Sequence, residues 1–282
     1  MSGGFDSRRF KSMERAGFNR IAARYADGAH LRAALAHALL DAAALAPGLR
    51  VLDLASGPGL LAADAARRVR PGGMVLATDI AEGMLLEGAR RVTDRDIDLL
   101  FSAADAEHLC LADASVDRVL AGLALFMFPH PEHALSEVRR VLAPGGRIAL
   151  SVWGTRDDVP LISRAQDCIA RLLPPPKVAR PSVFRFGDPA QLQAMLENAG
   201  FTEVGIAACD FSCSFDDAES YWQAFLDLAG GAAEALSRLP DTTQQALREA
   251  VGADLAQHPR TDGRPGCSVP ARALIATATR PI

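Results

Sequence analysis

Two rhythms of apolar residues alternate along the chain from residue 50 onward. VLDLA (51–55) is an unbroken apolar run with one acid inside it, as a strand buried on both faces requires. Residues 59–69 then change to helical spacing and stop at Pro71-Gly72-Gly73, and MVLATDI (74–80) predicts a second buried strand. A helix over 82–92, a strand over 97–103 and a fourth strand at VDRVLAGLAL (116–125) follow. PEHALSEVRRVLA (131–143) puts Ala134, Val138, Val141 and Leu142 on one helical face, and Pro144-Gly145-Gly146 turns into the strand RIALSVW. Strand and helix at this spacing predict right-handed βαβ units and a parallel sheet covered on both faces, a doubly wound, Rossmann-like α/β fold.

The rhythm loosens after residue 154. Residues 155–182 predict a helical insertion that ends at Pro174-Pro175-Pro176. Asp188-Pro189 supplies an N-cap acid and an N1 proline for a helix that stops at Ala199-Gly200, before a strand over 201–211. Residues 216–257 are amphipathic and helical, with turn chemistry at Gly230-Gly231 and Leu239-Pro240, and SVPARALIATATR (268–280) is the final strand. The last two strands are expected to pair antiparallel, completing a seven-stranded, mostly parallel sheet with an antiparallel C-terminal edge strand and helical cap insertions. One integrated domain is expected: an N-terminal helical cap segment at 1–45, a binding core at 46–154, and the rest of the sheet with its substrate-cap helices at 155–282.

Composition narrows the partners. Of 282 residues, 49% are hydrophobic, enough for a substantial core. A net charge of −4 and the lack of a basic stripe interleaved with aromatics argue against nucleic acid. The N-terminus is charged throughout and no eighteen apolar residues run together, so the expectation is a cytoplasmic protein without membrane insertion. Five cysteines, at 110, 168, 209, 213 and 267, show no C-x-x-C spacing and are expected to be free thiols, with no metal site.

Chemistry concentrates at the ends of the predicted strands. Gly57, Gly59 and Ala62 fit the G-x-G-x-x-G/A turn, and Asp79 follows where a ribose-binding acid belongs. That turn suits either a dinucleotide or S-adenosylmethionine. Asp53 beneath it would repel a pyrophosphate and favour the cationic α-amino group of S-adenosylmethionine, and Pro58 removes a backbone donor that a phosphate would use. Asp105 with Ala106, at the end of the third strand, is placed to read an adenine edge. Each acid alone is equally a helix cap or turn residue; three at successive strand ends point to a site.

The series VLDLASGPGLLA, LATDIAEGML, AADAEHL and VDRVLAGLALFMFPHPEHALSEVRRVLAPGGRIALSVWG resembles class I S-adenosylmethionine-dependent methyltransferases, particularly the ubiquinone/menaquinone-methyltransferase-like branch. The resemblance runs over roughly residues 15–154 and more weakly through FRFGDPAQLQAMLENAGF. It implies that Asp53, Ala55, Gly57 and Gly59 surround the methionine end of the cofactor. It also implies that Asp79, Ile80 and Met84 hold ribose and adenine, Asp105 and Ala106 read adenine, and Gly122 and Leu123 form the floor. Ala55 departs from the family, which has glycine there. Tyr25, in FNRIAARYADGAH, is implied to contact the cofactor's carboxylate end, with ordinary helix packing as the alternative.

In-line methyl transfer needs alignment and exclusion of water, and a base only where the acceptor must lose a proton. His130 is the candidate base, with His133 and then His30 behind it; the plainer reading of His130 is a turn residue between two prolines and of His133 a solvated helix position. Phe126, Met127 and Phe128, and the cluster Tyr221, Trp222 and Phe225, are candidates for the acceptor's surroundings. The expected activity is methyl transfer to O, C or N of a small aromatic, polyketide or isoprenoid acceptor. Two other readings stand beside it: an S-adenosylmethionine-binding scaffold or non-redox cyclisation catalyst, and an NAD-dependent oxidoreductase, which Asp53 and Asp105 disfavour. A homodimer is compatible with all three.

Overall fold

A computed structural model describes residues 5–175, 180–229, 231–260 and 262–282. Two helices come first, α1 (Ser7–Asp27) and α2 (Ala33–Ala42), joined by a 3-10 turn over Gly28–Arg32. The alternating part then runs β1 (Arg50–Leu54), α3 (Leu60–Arg68), β2 (Met74–Asp79), α4 (Glu82–Arg91), β3 (Leu99–Ala103), β4 (Val116–Gly122), α5 (Pro131–Val141) and β5 (Leu142–Trp153). After it come α6 (Pro160–Leu172), α7 (Pro189–Asn198), β6 (Thr202–Phe215), α8 (Ala218–Leu228), α9 (Gly231–Ser237), α10 (Asp241–Leu255) and β7 (Cys267–Thr279).

The strands form one seven-stranded sheet in the order β3-β2-β1-β4-β5-β7-β6, parallel except for β7. β1 lies between β2 and β4, so the winding direction reverses there and opens a crevice beyond the carboxyl ends of these strands. Leu52, Leu120 and Leu150, each fully buried, centre the core on β1, β4 and β5. Each contributes about 1.5–3 kcal/mol by leaving water.

Two expectations shift. The C-terminal strand is antiparallel, as predicted, but sits one place in from the edge, and β6 takes the edge. Composition explains the exchange: β7 buries Ala271, Ala273, Leu274, Ile275, Ala276 and Ala278, which need cover on both sides, whereas β6 exposes Glu203 and Asp210, charges that suit an open edge. The fourth strand stops at Gly122, short of residue 125, because Leu123 turns to φ +52° and a 3-10 turn follows over Leu125–Met127. Pro176 of the predicted proline break and Gly230 of the predicted Gly230-Gly231 turn lie outside the described residues.

Helix α1 starts at Asp6, whose side chain accepts from the Arg9 N–H, and lays Phe10, Glu14, Phe18, Ile21 and Tyr25 along one face at helical spacing. Ile21 and Ala22 pack with Ala81 and Met84 at the start of α4. Arg15 pairs with Glu82, Asn19 Oδ1 accepts from the Gly83 N–H at 2.7 Å, and Arg91 pairs with Asp27 at 2.7 Å. A Cβ on Gly83 would lie 2.9 Å from that Asn19 oxygen, so the close approach of the two helices depends on this glycine. The helix is thereby held across the crevice.

Candidate active site

The loop after β1 owes its shape to left-handed backbone. Gly57 and Gly59 have φ of +56° and +67°, and a Cβ on Gly59 would meet the Phe101 ring at 2.6 Å. Ala55 shares the conformation at φ +53°, as does Leu123 at φ +52° across the crevice. Left-handed backbone costs a residue with a Cβ about 1–2 kcal/mol, and such strain collects at functional sites. Leu123 is held there by its N–H, which donates to both the carbonyl and the hydroxyl oxygen of Ser151, each at 3.0 Å.

Three carboxylates meet beyond the strand ends. Asp53 is fully buried, and neither oxygen has a hydrogen-bond partner of good geometry. Burial, then the neighbouring charge of Asp79, push its pKa up to about 8, against a weak downward pull from the Ala62 N–H. Asp79 accepts from the Gly57 N–H at 2.9 Å and the Ala81 N–H at 2.8 Å, clamping the glycine loop to the end of β2. Its pKa is also raised, chiefly by burial. Asp105, two residues past β3, accepts from the Glu107 N–H at 3.0 Å and from Lys11 Nζ at 2.7 Å.

Lys11 and Glu107 carried no signal in the sequence beyond Lys11 being one of only two lysines. Lys11 reaches from α1 to both Asp105 and Glu107, each at 2.7 Å. The buried Glu107 also accepts from the His130 N–H at 2.9 Å. This network ties α1, the loop after β3 and the loop after β4 together.

Three adjoining cavities occupy the crevice. One of about 110 Å³ contains Asp53, Ala55, Gly122, Leu123 and Arg32 in its wall. A second of about 110 Å³ is walled by Gly57, Asp79, Ile80, Met84, Asp105 and Ala106, again with Gly122 and Leu123. The third, about 310 Å³, is mostly apolar and includes Phe126, Met127, Trp153, Phe215, Tyr221 and Phe225. Tyr25 and Leu123 border all three. Phe128 lines the second cavity rather than the third, and Trp222 is buried against Phe225.

Every predicted cofactor residue except Gly59 thus lines one of the two small cavities, and Gly59 shapes the loop between them. His130 does not join them: its ring is 44% exposed, lies near Glu132 and His133, and borders none of the three cavities. His30 bonds the Asp27 carbonyl oxygen. The sequence also gave no sign of Glu14, buried between the second and third cavities and paired with Arg180 at 2.8 Å, or of Arg32. Both depend on how α1 and its following turn fold back over the sheet. Among the described residues no group of His, Cys, Asp and Glu could hold a metal ion, and no helix is long and apolar enough to cross a membrane.

Comparison with known proteins finds similarity over part of the chain. Residues 51–146 match the methyltransferase domain family. The chain is 40% identical over 136 residues to a ubiquinone/menaquinone biosynthesis C-methyltransferase of Bordetella avium, covering 46% of this chain and 53% of the relative. It is 34% identical over 187 residues to an arsenite methyltransferase of Halobacterium salinarum, covering 66% of this chain and 45% of that protein. The matches therefore span about half the length of these relatives. A putative methyltransferase from Bacillus halodurans C-125 shares the fold, with a TM-score of 0.57 and 22% identity over 88% of this chain and 99% of that one.

Proposed function

We propose, from the premise that this chain carries a class I S-adenosylmethionine-dependent methyltransferase domain, that the whole protein methylates O, C or N of a small apolar acceptor. An aromatic, polyketide or isoprenoid ring system suits the site. The observation that carries this reading is the aromatic-walled 310 Å³ cavity sharing Tyr25 and Leu123 with the two small cavities, one of which holds the buried Asp53 without a partner.

The charge of the first small cavity and the lining of the second support S-adenosylmethionine as the cofactor. The cationic amino group would satisfy Asp53, whose burial without a counter-ion otherwise has no compensation. On this reading Asp79, which lines the second small cavity, would meet the ribose hydroxyls, with Ile80 and Met84 against the adenine and Asp105 and Ala106 at its edge. When bound, the cofactor supplies an electrophilic methyl on a cationic sulfur. The chain's share is positional: Tyr25 and Leu123, which border all three cavities, would stand between donor and acceptor, and the aromatic wall of the large cavity would exclude water from the acceptor. Alignment of this kind supplies about 7–11 kcal/mol of a displacement barrier.

No role falls to His130 in this reading, because its half-exposed ring stands outside the cavities. An acceptor that must lose a proton meets Glu14, a carboxylate that borders the large cavity. An arsenic acceptor is disfavoured, since a thiophilic centre calls for thiolates and no cysteine lines any of the three cavities among the described residues. The net charge of −4 and the enclosure of the large cavity favour a small molecule over nucleic acid. Helices α1, α6 and α8 would act as the caps that enclose it, beside the strands β6 and β7 that complete the sheet.

Calorimetry with S-adenosylmethionine and S-adenosylhomocysteine tests the premise; the expected result is micromolar binding that Asp79→Ala abolishes, and an absence of heat with both ligands overturns it. Incubation with a panel of phenols, quinols and polyketides, read by mass spectrometry, should give a gain of one methyl matched by S-adenosylhomocysteine. An isomerised product with the cofactor unconsumed would favour a cyclisation catalyst instead.

A further inference from the structure

One face of α1 carries Phe10, Glu14, Phe18 and Tyr25, and the carboxylate is its odd member: it is buried, with an aromatic residue one turn before it and another one turn after. Arg180, from the connection between α6 and α7, brings Nη1 to 2.8 Å from Glu14 Oε1. Glu14 borders both the large cavity and the second small one, whereas Arg180 borders the large cavity alone. The ion pair therefore stands where those two cavities adjoin, with its cation on the side of the large one.

Stability does not account for this pair. Two charges taken out of water recover little net energy from each other, and an apolar pair of the same volume commonly serves a fold as well. In its chemistry Glu14 has no substitute. Among the described residues it is the one carboxylate in the wall of the large cavity, which contains no histidine, lysine or cysteine. Tyr221 donates its hydroxyl to the Leu161 carbonyl oxygen at 2.9 Å, and burial pushes its pKa up.

We propose that the acceptor is a neutral phenol or enol whose hydroxyl lies between Glu14 and Arg180, with Glu14 taking its proton and Arg180 holding the oxyanion. This rests on the reading that the large cavity takes a methyl acceptor. The acceptor's O–H bond breaks toward a Glu14 oxygen. An electron pair on the acceptor oxygen forms the bond to the methyl carbon while the pair of the methyl–sulfur bond returns to sulfur. The products are a methyl ether, S-adenosylhomocysteine and a protonated Glu14, which gives its proton to water as the ether leaves. The guanidinium meets the negative charge on whichever oxygen carries it, first on the carboxylate and then on the acceptor.

The test compares acceptors that need the base with one that does not. In a mildly alkaline buffer 2-naphthol keeps its proton and 4-nitrophenol has lost it. Methyl transfer from S-adenosylmethionine is followed by mass spectrometry for the full chain, Glu14→Gln and Arg180→Met, with folding verified by thermal melts and S-adenosylhomocysteine binding by calorimetry. Glu14→Gln should lower kcat/KM for 2-naphthol by about 10²- to 10⁴-fold. For 4-nitrophenol the same variant should lose at most about twofold. Arg180→Met should slow both, on the order of tenfold, because an oxyanion forms or enters in either case. If Glu14→Gln does not fold, Glu14→Asp takes its place, with the 2-naphthol rate reduced and the 4-nitrophenol rate kept as the expected result. Equal losses for both phenols would make the carboxylate structural and overturn the proposal, as would an undiminished rate with 2-naphthol. Binding of S-adenosylhomocysteine with neither phenol nor 1,3-cyclohexanedione methylated overturns this inference and leaves the cofactor reading standing; if S-adenosylhomocysteine does not bind, the cofactor reading itself fails.

Discussion

Asp53→Asn should make the empty protein more stable and the ligand-binding protein worse, and pH separates the two effects. Folding raises the Asp53 pKa from 3.8 to about 8, chiefly through burial. The folded chain therefore holds this proton over a pH range in which the unfolded chain has released it, so the acid's contribution to stability falls as pH rises from about 4 to about 8. Between pH 4 and pH 7 the unfolded acid ionises almost completely while the folded one hardly does, and the difference accumulates to roughly 4 kcal/mol. Asparagine has nearly the same shape and does not titrate. The stability gap between Asp53→Asn and the unaltered protein should thus widen by about that amount from pH 4 to pH 7, an increase of roughly 5–10 °C in the melting-point difference for a chain of this size. Cofactor binding reverses the balance, because a nearby ammonium favours the ionised carboxylate. Near pH 7, S-adenosylhomocysteine should expel up to one proton, measurable as a binding enthalpy that depends on the buffer's heat of ionisation. Melting curves of the two proteins that stay parallel from pH 4 to pH 8, together with binding that releases no proton, would refute the reasoning.

Four further outcomes follow from the geometry. Ala55→Gly removes a left-handed residue bearing a Cβ and should stabilise by up to about 1 kcal/mol, after the entropy of glycine is deducted, as read by chemical denaturation. Gly59→Ala places a methyl 2.6 Å from the Phe101 ring and should destabilise by about 1–3 kcal/mol, with loss of S-adenosylhomocysteine binding in calorimetry. Lys11→Met unties α1 from Asp105 and Glu107, and should weaken S-adenosylhomocysteine and 5′-methylthioadenosine alike, by about 3- to 10-fold in calorimetry. His130→Ala should leave S-adenosylhomocysteine affinity within about twofold by the same titration, since the ring stands outside the cavities.

What could be read in advance was what repeats locally. The run-and-period alternation from Val51 to Trp153 identified β1 to β5 and their helices, because a strand covered on both faces and a helix covered on one leave different apolar patterns. The strand-end rule then brought Asp53, Asp79 and Asp105 to one crevice, although together they span some fifty residues of sequence. Lys11, Glu14 and Arg32 were invisible for the opposite reason: they reach the site through the docking of α1 and the turn after it, a long-range event with no periodicity of its own. His130 looked attractive by neighbourhood, between two prolines just after the β4 loop. Backbone direction decided otherwise, since Glu107 holds its N–H while the ring faces away toward Glu132. The place of β7 was hidden because alternation along a strand says which faces are covered and nothing about which neighbour covers an edge.

Residues bordering the 310 Å³ cavity and neither smaller one come, apart from Phe126, from outside the segment 51–146; Ile162, Ala224 and Leu228 are examples. On the proposed function, the wall that would meet the acceptor is drawn largely from α6 and α8, which contribute nothing to either small cavity among the described residues. If that reading holds, a lineage could reshape its choice of acceptor by exchanging side chains on α6 and α8 while the donor's berth is inherited intact, whereas a change at Tyr25 or Leu123 would be felt by both guests at once.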